Sequence, residues 1–309
     1  MKNSAFLFFF FTMLLFTACI YSTENELGDP ITSDDKYVEL NIRAEIAHSP
    51  VSRAADISWD TNDSIGVTAY NNAQMENRYK NVRFQTTGDG NFMSNTPIYF
   101  VNNNIVKFRA YYPYSSQGGV LTNNTWAENQ TSEGKKTIDY MWAETPDKGI
   151  IDKDHPTVVL EFFHKMSQIA ITFQQGEGVN LKDFKSYTIS GLKLEGTFNP
   201  DDGKAMASGT SKDLTLNITG KDGSSTLVSS IILYPQEISS FDVSVTLGNQ
   251  VYSCKRVNVN NNRLKEGLLY NYTFTITNVG GELKLTNSVI TPWYPVVGGS
   301  DTLYPIYKN

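Results

Sequence analysis

One stretch near the middle of the chain, PTVVLEFFHKMSQIAITF at residues 156–173, limits the fold more than any other segment. Every second residue in it is apolar, on either side of a polar break at His164 and Lys165. These apolar residues are Val158, Leu160, Phe162, Ile169, Ile171 and Phe173. A period of two is typical of a half-buried strand, so the stretch predicts two strands in succession. Because strand-rich sequence lies on both sides, we interpret them as the last strand of one β-domain and the first strand of the next.

The same period recurs along the chain between turns rich in Gly, Asn, Asp and Pro. Residues 37–46 alternate most cleanly, and their inward face would hold Val38, Leu40, Ile42, Ala44 and Ile46. Tyr and Phe number 17 each among 309 residues, which also favours β-structure. Short strands without amphipathic helices between them are typical of antiparallel sandwiches. We therefore predict an all-β protein of two tandem β-sandwich domains, at 37–163 and 164–309.

Turn residues predict several finer elements. We expect a polar surface loop at 115–136 and a short strand at 137–143. In the second half we expect hairpins in series, and their turns lie at 199–203, 220–223 and 248–249. A short strand around Leu283 and another from Ile290 to Trp293 would follow.

The N-terminus has the pattern of a lipoprotein precursor. An apolar run after Lys2 ends in Phe-Thr-Ala-Cys at residues 16–19 and is shorter than the roughly 20 residues of a spanning helix. We predict a signal peptide at 1–18 and acylation of Cys19, whose acyl chains would anchor the protein. The acidic residues 19–36 would be a solvated tether. The alternative is an ordinary secretory signal with an incidental cysteine. Cys254 would be an unpaired strand residue facing the core.

No set of polar residues in the sequence indicates catalysis. His48, His155 and His164 are scattered without metal-ligand spacing, so we expect each to be a surface or loop residue. The acidic residues at 59–63 and 201–203 fit plain turns better than calcium loops. The net charge of −6, without a basic stripe, argues against nucleic acid as a partner. We predict no enzymatic activity, no cofactor and no metal.

Aromatic residues leave one binding function open. If exposed together, such rings could stack on sugars, although most aromatics of a β-protein fill its core. The residues in question are Tyr111, Tyr112, Tyr114, Trp126 and Trp142.

Five segments, taken in order, resemble those of a known family. They are WDTNDSIGV at 59–67, FRAYYPY at 108–114, HKMSQIAITF at 164–173, LYPQ at 233–236 and ITPWYP at 290–295. With them the chain resembles the fimbrillin family, the pilus subunits of Gram-negative anaerobes of the gut and mouth. The resemblance implies two tandem transthyretin-like β-sandwiches, export as an outer-membrane lipoprotein, and assembly with other pilus subunits into a fimbria on the cell surface.

The resemblance also implies a mode of assembly. In such subunits an arginine-specific protease removes the N-terminal strand, and an extended strand from a neighbour fills the groove. Here the removable strand would be residues 37–46, and the cut would fall at Arg53–Ala54 in a loop bearing Pro and Ser. Alternatively, Arg53 is only a solvated loop residue and the strand is retained, as in an anchor or tip subunit.

The C-terminal segment supplies a candidate donor strand. It continues past the tryptophan-containing end typical of the family and follows a Gly-Gly pair at 298–299. Its apolar residues are Leu303, Tyr304, Ile306 and Tyr307. Pro305 weakens this interpretation, although an edge position tolerates proline.

Two functions therefore compete. The first is a fimbrial adhesion subunit of tip or accessory rank, with a host or bacterial surface receptor or glycan as a further partner. The second is an outer-membrane surface lipoprotein that keeps all its strands and binds glycans.

The lipid anchor can be tested directly. A Cys19→Ala variant should leave the membrane fraction, because it has no thiol to acylate. Fractionation and palmitate labelling measure this, and a Cys254→Ala variant is the matched control. A Cys19→Ala protein that stays membrane-bound and still takes up label would contradict the assignment.

Overall fold

A computed structural model describes residues 37–47, 58–220, 223–278 and 280–293. Strands dominate this part of the chain and helices are short, so the all-β prediction is confirmed. None of the helices in these residues is long and apolar enough to cross a membrane.

The strands of the first half run from residue 38 to residue 164. They are β1 (Val38–Glu39), β2 (Asn41–Ile46), β3 (Ser64–Tyr70), β4 (Val82–Thr86), β5 (Asn91–Met93), β6 (Tyr99–Phe100), β7 (Lys107–Tyr112), β8 (Leu121–Asn124), β9 (Met141–Glu144) and β10 (Thr157–His164). Two short helices lie among them, α1 (Ala73–Arg78) and α2 (Ser132–Ile138), with a 3-10 turn at Ala127–Gln130.

The second half contains the longer strands. They are β11 (Ser167–Gln175), β12 (Phe184–Asn199), β13 (Lys204–Asn217), β14 (Thr226–Leu233), β15 (Gln236–Glu237), β16 (Ser240–Leu247), β17 (Gln250–Asn258), β18 (Arg263–Leu264), β19 (Leu268–Thr277) and β20 (Glu282–Pro292). Single 3-10 turns occur at Leu181–Asp183 and Asn260–Asn262.

Strands of the first half close into a ring in the order β10-β2-β5-β4-β3-β7-β9. Inside the ring lies a core drawn entirely from residues 40–162, and Ile65, Val67 and Phe108 in it are fully buried. The strand β2 completes this ring, because it lies between β10 and β5.

The second half has two facing sheets. One has the order β14-β11-β19-β20, and the other has the order β13-β12-β16-β17 with β8 added beside β12. Residues between 169 and 283 fill the space between them, among them Phe173, Leu192, Val243 and Phe274. This is the packing of a β-sandwich. The prediction of purely antiparallel sheets is wrong at one pair, because β11 and β19 run parallel while the other neighbouring strands of the two sheets are antiparallel.

The central stretch forms two strands, as predicted. The inward residues of β10 belong to the core of the ring, whereas Ile169, Ile171 and Phe173 of β11 belong to the core of the sandwich. A third apolar cluster contains Tyr111 and Tyr140 from before His164 and Phe198 and Tyr234 from after it. Tyr140 and Phe198 stack with their ring centres 4.5 Å apart. We retain the domain boundary near His164 as a proposal, with this cluster as its interface.

The surface loop predicted at 115–136 is wrong, because the segment contains β8, a 3-10 turn and most of α2. β8 pairs antiparallel with β12, from Leu121 opposite Phe198 to Asn124 opposite Glu195. The predicted strand at 137–143 is also displaced, since Thr137 and Ile138 end α2 and β9 begins at Met141. Polar residues that bond to a distant sheet edge leave no period-two signal, which explains the errors.

Two further expectations in the second half are corrected. β13 pairs with β12 while β14 pairs with β11, so the segment after β13 leads to the other sheet rather than closing a hairpin. In place of the two short strands expected around Leu283 and from Ile290 to Trp293, there is one strand, β20, which pairs with β19 from Glu282 to Pro292. Hairpins at 199–203 and 248–249 are confirmed.

The buried amide of Gln130 joins the two halves. Its Nε2 donates to the carbonyl of Ile232 at 2.9 Å, and its Oε1 accepts from the Ile232 N–H at 2.8 Å. The side chain thus takes the place of a neighbouring strand at the edge of β14.

We expect Gln130→Ala to lower the free energy of unfolding by about 1–3 kcal/mol, because it leaves buried main-chain groups of Ile232 without a partner. Urea denaturation measures the change. The matched control is Gln117→Ala, since Gln117 is exposed. Equal stability of the two variants would contradict the role assigned to Gln130.

Candidate functional site

We call residues 38–46, which comprise β1, Leu40 and β2, the first strand, and the space that it fills the groove. On one side β2 runs parallel to β10, from Asn41 opposite Thr157 to Ile46 opposite Phe162. On the other side Ile42 lies opposite Phe92 of β5, and β1 pairs with β6. The first strand therefore has bonded neighbours along both edges.

The alternation predicted for this segment is confirmed. Leu40, Ile42, Ala44 and Ile46 are 5% exposed or less, Val38 is half-buried, and the residues between them in β2 face solvent. Burial of the three large side chains contributes on the order of 4–9 kcal/mol. This is an upper estimate, because an unfolded segment already hides part of its apolar area.

Main-chain bonds outside the regular ladder also hold the first strand. The N–H of Leu40 donates to Ile98 O, and that of Ala44 donates to Gly90 O, both at 2.8 Å. The indole Nε1 of Trp59 donates to Ala44 O at 2.8 Å. At Gly90 φ is +80°, and a Cβ there would lie 3.1 Å from Ala44 O, so glycine suits this position.

Trp59 lies at the centre of an aromatic group behind the first strand. Its ring meets those of Phe92, Phe162 and Tyr112 nearly edge-on, with ring centres 5.1, 5.2 and 5.5 Å apart. Sequence reasoning treated the segment WDTND only as a turn and missed this contact with the first strand. The signal was a tryptophan just before a tight turn, a position from which a side chain can enter the core.

The acidic residues after Trp59 form a plain turn, as expected. The N–H of Asp60 donates to the Asp63 carboxylate at 2.8 Å, and Tyr112 OH donates to its other oxygen at 3.1 Å. Burial raises the pKa of Asp63 above its usual value. Within the described ranges, no three His, Cys, Asp or Glu side chains are grouped to hold a metal. Cys254 is a free thiol packed against the sandwich core, and burial raises its pKa.

Several predicted site residues lie outside the described residues. They are Cys19, Arg53, Ala54, Leu303, Tyr304, Ile306 and Tyr307. Lipidation, cleavage and strand donation therefore stay predictions. The nearest described residues are Ala47 before Arg53 and Ser58 after it. The N–H of Ala47 donates to Phe162 O.

The exposure of Tyr111 and Tyr112 that a sugar platform would require is not found, because both residues are buried. Tyr112 is buried in the ring core and Tyr111 in the third cluster, because they point to opposite faces of β7 and both faces are covered. Trp142 packs over the turn at Gly203 and donates to Pro200 O at 3.0 Å. Trp126 is 39% exposed, and the Lys212 ammonium lies 5.1 Å from its ring centre.

The expectation that His164 is a surface or loop residue is also wrong. Its side chain is buried, its Nδ1 lies 2.8 Å from a carboxylate oxygen of Asp139, and its ring stacks on Trp293 at 4.2 Å. The signal was available, because His164 continues the inward positions 158, 160 and 162. His155 is exposed and pairs with Asp152, as expected of a loop residue. His48 lies outside the described ranges.

Comparison with solved structures finds the same all-β fold in other proteins. A protein provisionally assigned to cell adhesion from Bacteroides ovatus matches with a TM-score of 0.72 at 23% identity, over 85% of this chain and 100% of its own. A protein provisionally assigned to the same role from Bacteroides uniformis matches with a TM-score of 0.66 at 24% identity over the same shares. A fimbrial protein from Bacteroides vulgatus matches with a TM-score of 0.52 at 14% identity, over 82% of this chain and 99% of its own. These likenesses show the fold.

The family follows from the sequence itself. The model of the fimbrillin-like family matches residues 52–293, which is most of the chain, so the chain belongs to that family. The match begins after the first strand. None of the curated proteins compared with the chain matches it. Membership supports a pilus or adhesion subunit on the cell surface rather than an enzyme.

The hold on the first strand can be tested by truncation of one side chain. We expect Ile42→Ala to lower the free energy of unfolding by about 2–5 kcal/mol, because it leaves a cavity beside Phe92. Arg43→Ala, at the adjacent exposed position, should change it by about 0.5 kcal/mol or less. Urea denaturation of both variants measures this. Similar losses in both would mean that the inward face carries no special share of the stability.

Proposed function

We propose that this protein is a structural and adhesion subunit of a cell-surface fimbria, of tip or accessory rank. It is exported as an outer-membrane lipoprotein through Cys19. A protease with arginine preference cuts at Arg53–Ala54, the first strand leaves, and a strand from a neighbouring subunit takes its place.

The observation that carries this proposal is the way the first strand is attached. It completes the ring and fills its core, yet neither of its bonded neighbours is joined to it by a turn. β10 lies far along the chain and runs parallel, which a hairpin cannot connect. β5 follows only after β3 and β4. After a cut between residues 47 and 58, no covalent link would retain the strand.

The energetics favour exchange over simple loss. A vacated groove would expose the edges of β10 and β5 and the apolar wall that Leu40, Ile42 and Ile46 now cover. An extended segment of a second subunit can restore the main-chain bonds and the buried area only by association. The apolar residues between Leu303 and Tyr307 remain the candidate donor.

The partners follow from this mode of assembly. They are other pilus subunits, the processing protease and the outer membrane, with a receptor or glycan at the tip as a further one. No described group of exposed aromatic residues favours glycan binding as the main function.

Cleavage tests the proposal. Brief treatment of the purified protein with an arginine-specific protease should release the segment up to Arg53 and shift the remainder to larger species. Mass spectrometry confirms the cut, and gel filtration reports the size. On cells, Arg53→Ala should abolish incorporation into fimbriae, because the strand then stays in place.

The matched control is Arg78→Ala, since Arg78 is an exposed arginine on α1. It should assemble normally. If release of the strand leaves only monomer, or Arg53→Ala assembles like the control, the exchange model fails. A subunit that retains its strand would then be the better description.

A further inference from the structure

We propose that Trp59 makes the groove selective, so that it accepts only a strand with a small residue at the position of Ala44 and large apolar residues two places to either side. This inference rests on the proposed strand exchange. It names the chemistry of the partner as an extended segment that reads apolar-x-apolar-x-small-x-apolar.

The first step concerns the main chain. At Ala44 two groups outside the regular ladder bind the strand, with Gly90 O accepting from the N–H and Trp59 Nε1 donating to the carbonyl. Both bonds involve only the backbone of the strand, so any sequence can form them. They define one position of the groove that lies beside Trp59, and the room for a side chain there must decide which residue of an incoming strand can occupy it.

The second step concerns side-chain room. Phe92 lies opposite Ile42 and Phe162 lies opposite Ile46. Because the indole of Trp59 contacts both of these rings, it spans the interval between them, at the level of Ala44. Ala44 is 1% exposed and Trp59 6% exposed, which leaves no path to solvent for a larger side chain.

The third step compares the inward positions of β2 and the residue before it. Leu40, Ile42 and Ile46 meet other core residues, and each is large. Ala44 is the one small residue among these four inward positions, and the indole of Trp59 occupies the core space beside it. A leucine there would have to displace Trp59 from its three aromatic neighbours, and overpacking of this kind is unfavourable.

Synthetic strands test the rule without changing the protein. The full chain is cut after Arg53, and peptides with the sequence of residues 37–46, YVELNIRAEI, carry a fluorophore at the N-terminus. Anisotropy then gives the affinity. We expect the Ala44→Leu peptide to bind about tenfold to a hundredfold more weakly than the native peptide.

A Glu45→Leu peptide is the matched control, since it introduces the same residue at the adjacent exposed position. It should bind within about threefold of the native peptide, as expected for a surface change. A Trp59→Leu protein provides the complement. Its groove should bind the Ala44→Leu peptide at least as well as the native peptide.

The outcomes separate the two proposals. If no peptide binds the cut protein, the native one included, strand exchange itself fails and the selectivity falls with it. If the Ala44→Leu and native peptides bind equally, the selectivity alone is overturned. In the uncut chain, Ala44→Leu should lower the melting temperature more than Glu45→Leu does. An equal effect there would also overturn the selectivity.

Discussion

The parallel pairing of the first strand with β10 is the constraint on which the first half depends. Without β2 the ring has two open edges, and its core loses one wall. Because parallel neighbours cannot be joined by a short turn, this wall is held by packing and hydrogen bonds rather than by chain connectivity. A strand so placed contributes to stability, although no short turn joins it to either β10 or β5.

The groove is shaped by residues from outside the strands that bound it. Trp59 lies just before the turn that contains Asp60 and Asp63, and Gly90 lies just before β5. Both residues form hydrogen bonds with the main chain of Ala44. The indole is in turn held by aromatic rings on β5, β7 and β10. The position of one side chain thus depends on three strands of the ring, which couples the groove to the whole first half.

The two halves are joined by strand pairing and side-chain contacts, and not only by the chain that connects them. The first half contributes β8 to a sheet of the second and covers the edge of β14 with Gln130. The second half contributes Trp293, whose ring stacks on that of His164 at the end of β10. Each half thus contributes a strand or a side chain to the packing of the other.

The sequence by itself determined where strands form and which residues of them face inward. Alternation predicted the inward face of residues 37–46 and the two strands around His164, and five short segments taken in order indicated the family. All of these are local, because a period of two needs only neighbouring residues. It did not reveal the structure within 115–136, the burial of His164 or the contact of Trp59 with Ala44. Only the tertiary structure decided which strands pair, since every backbone offers the same donors and acceptors, and partners far apart in the chain are selected by the packing of the whole core.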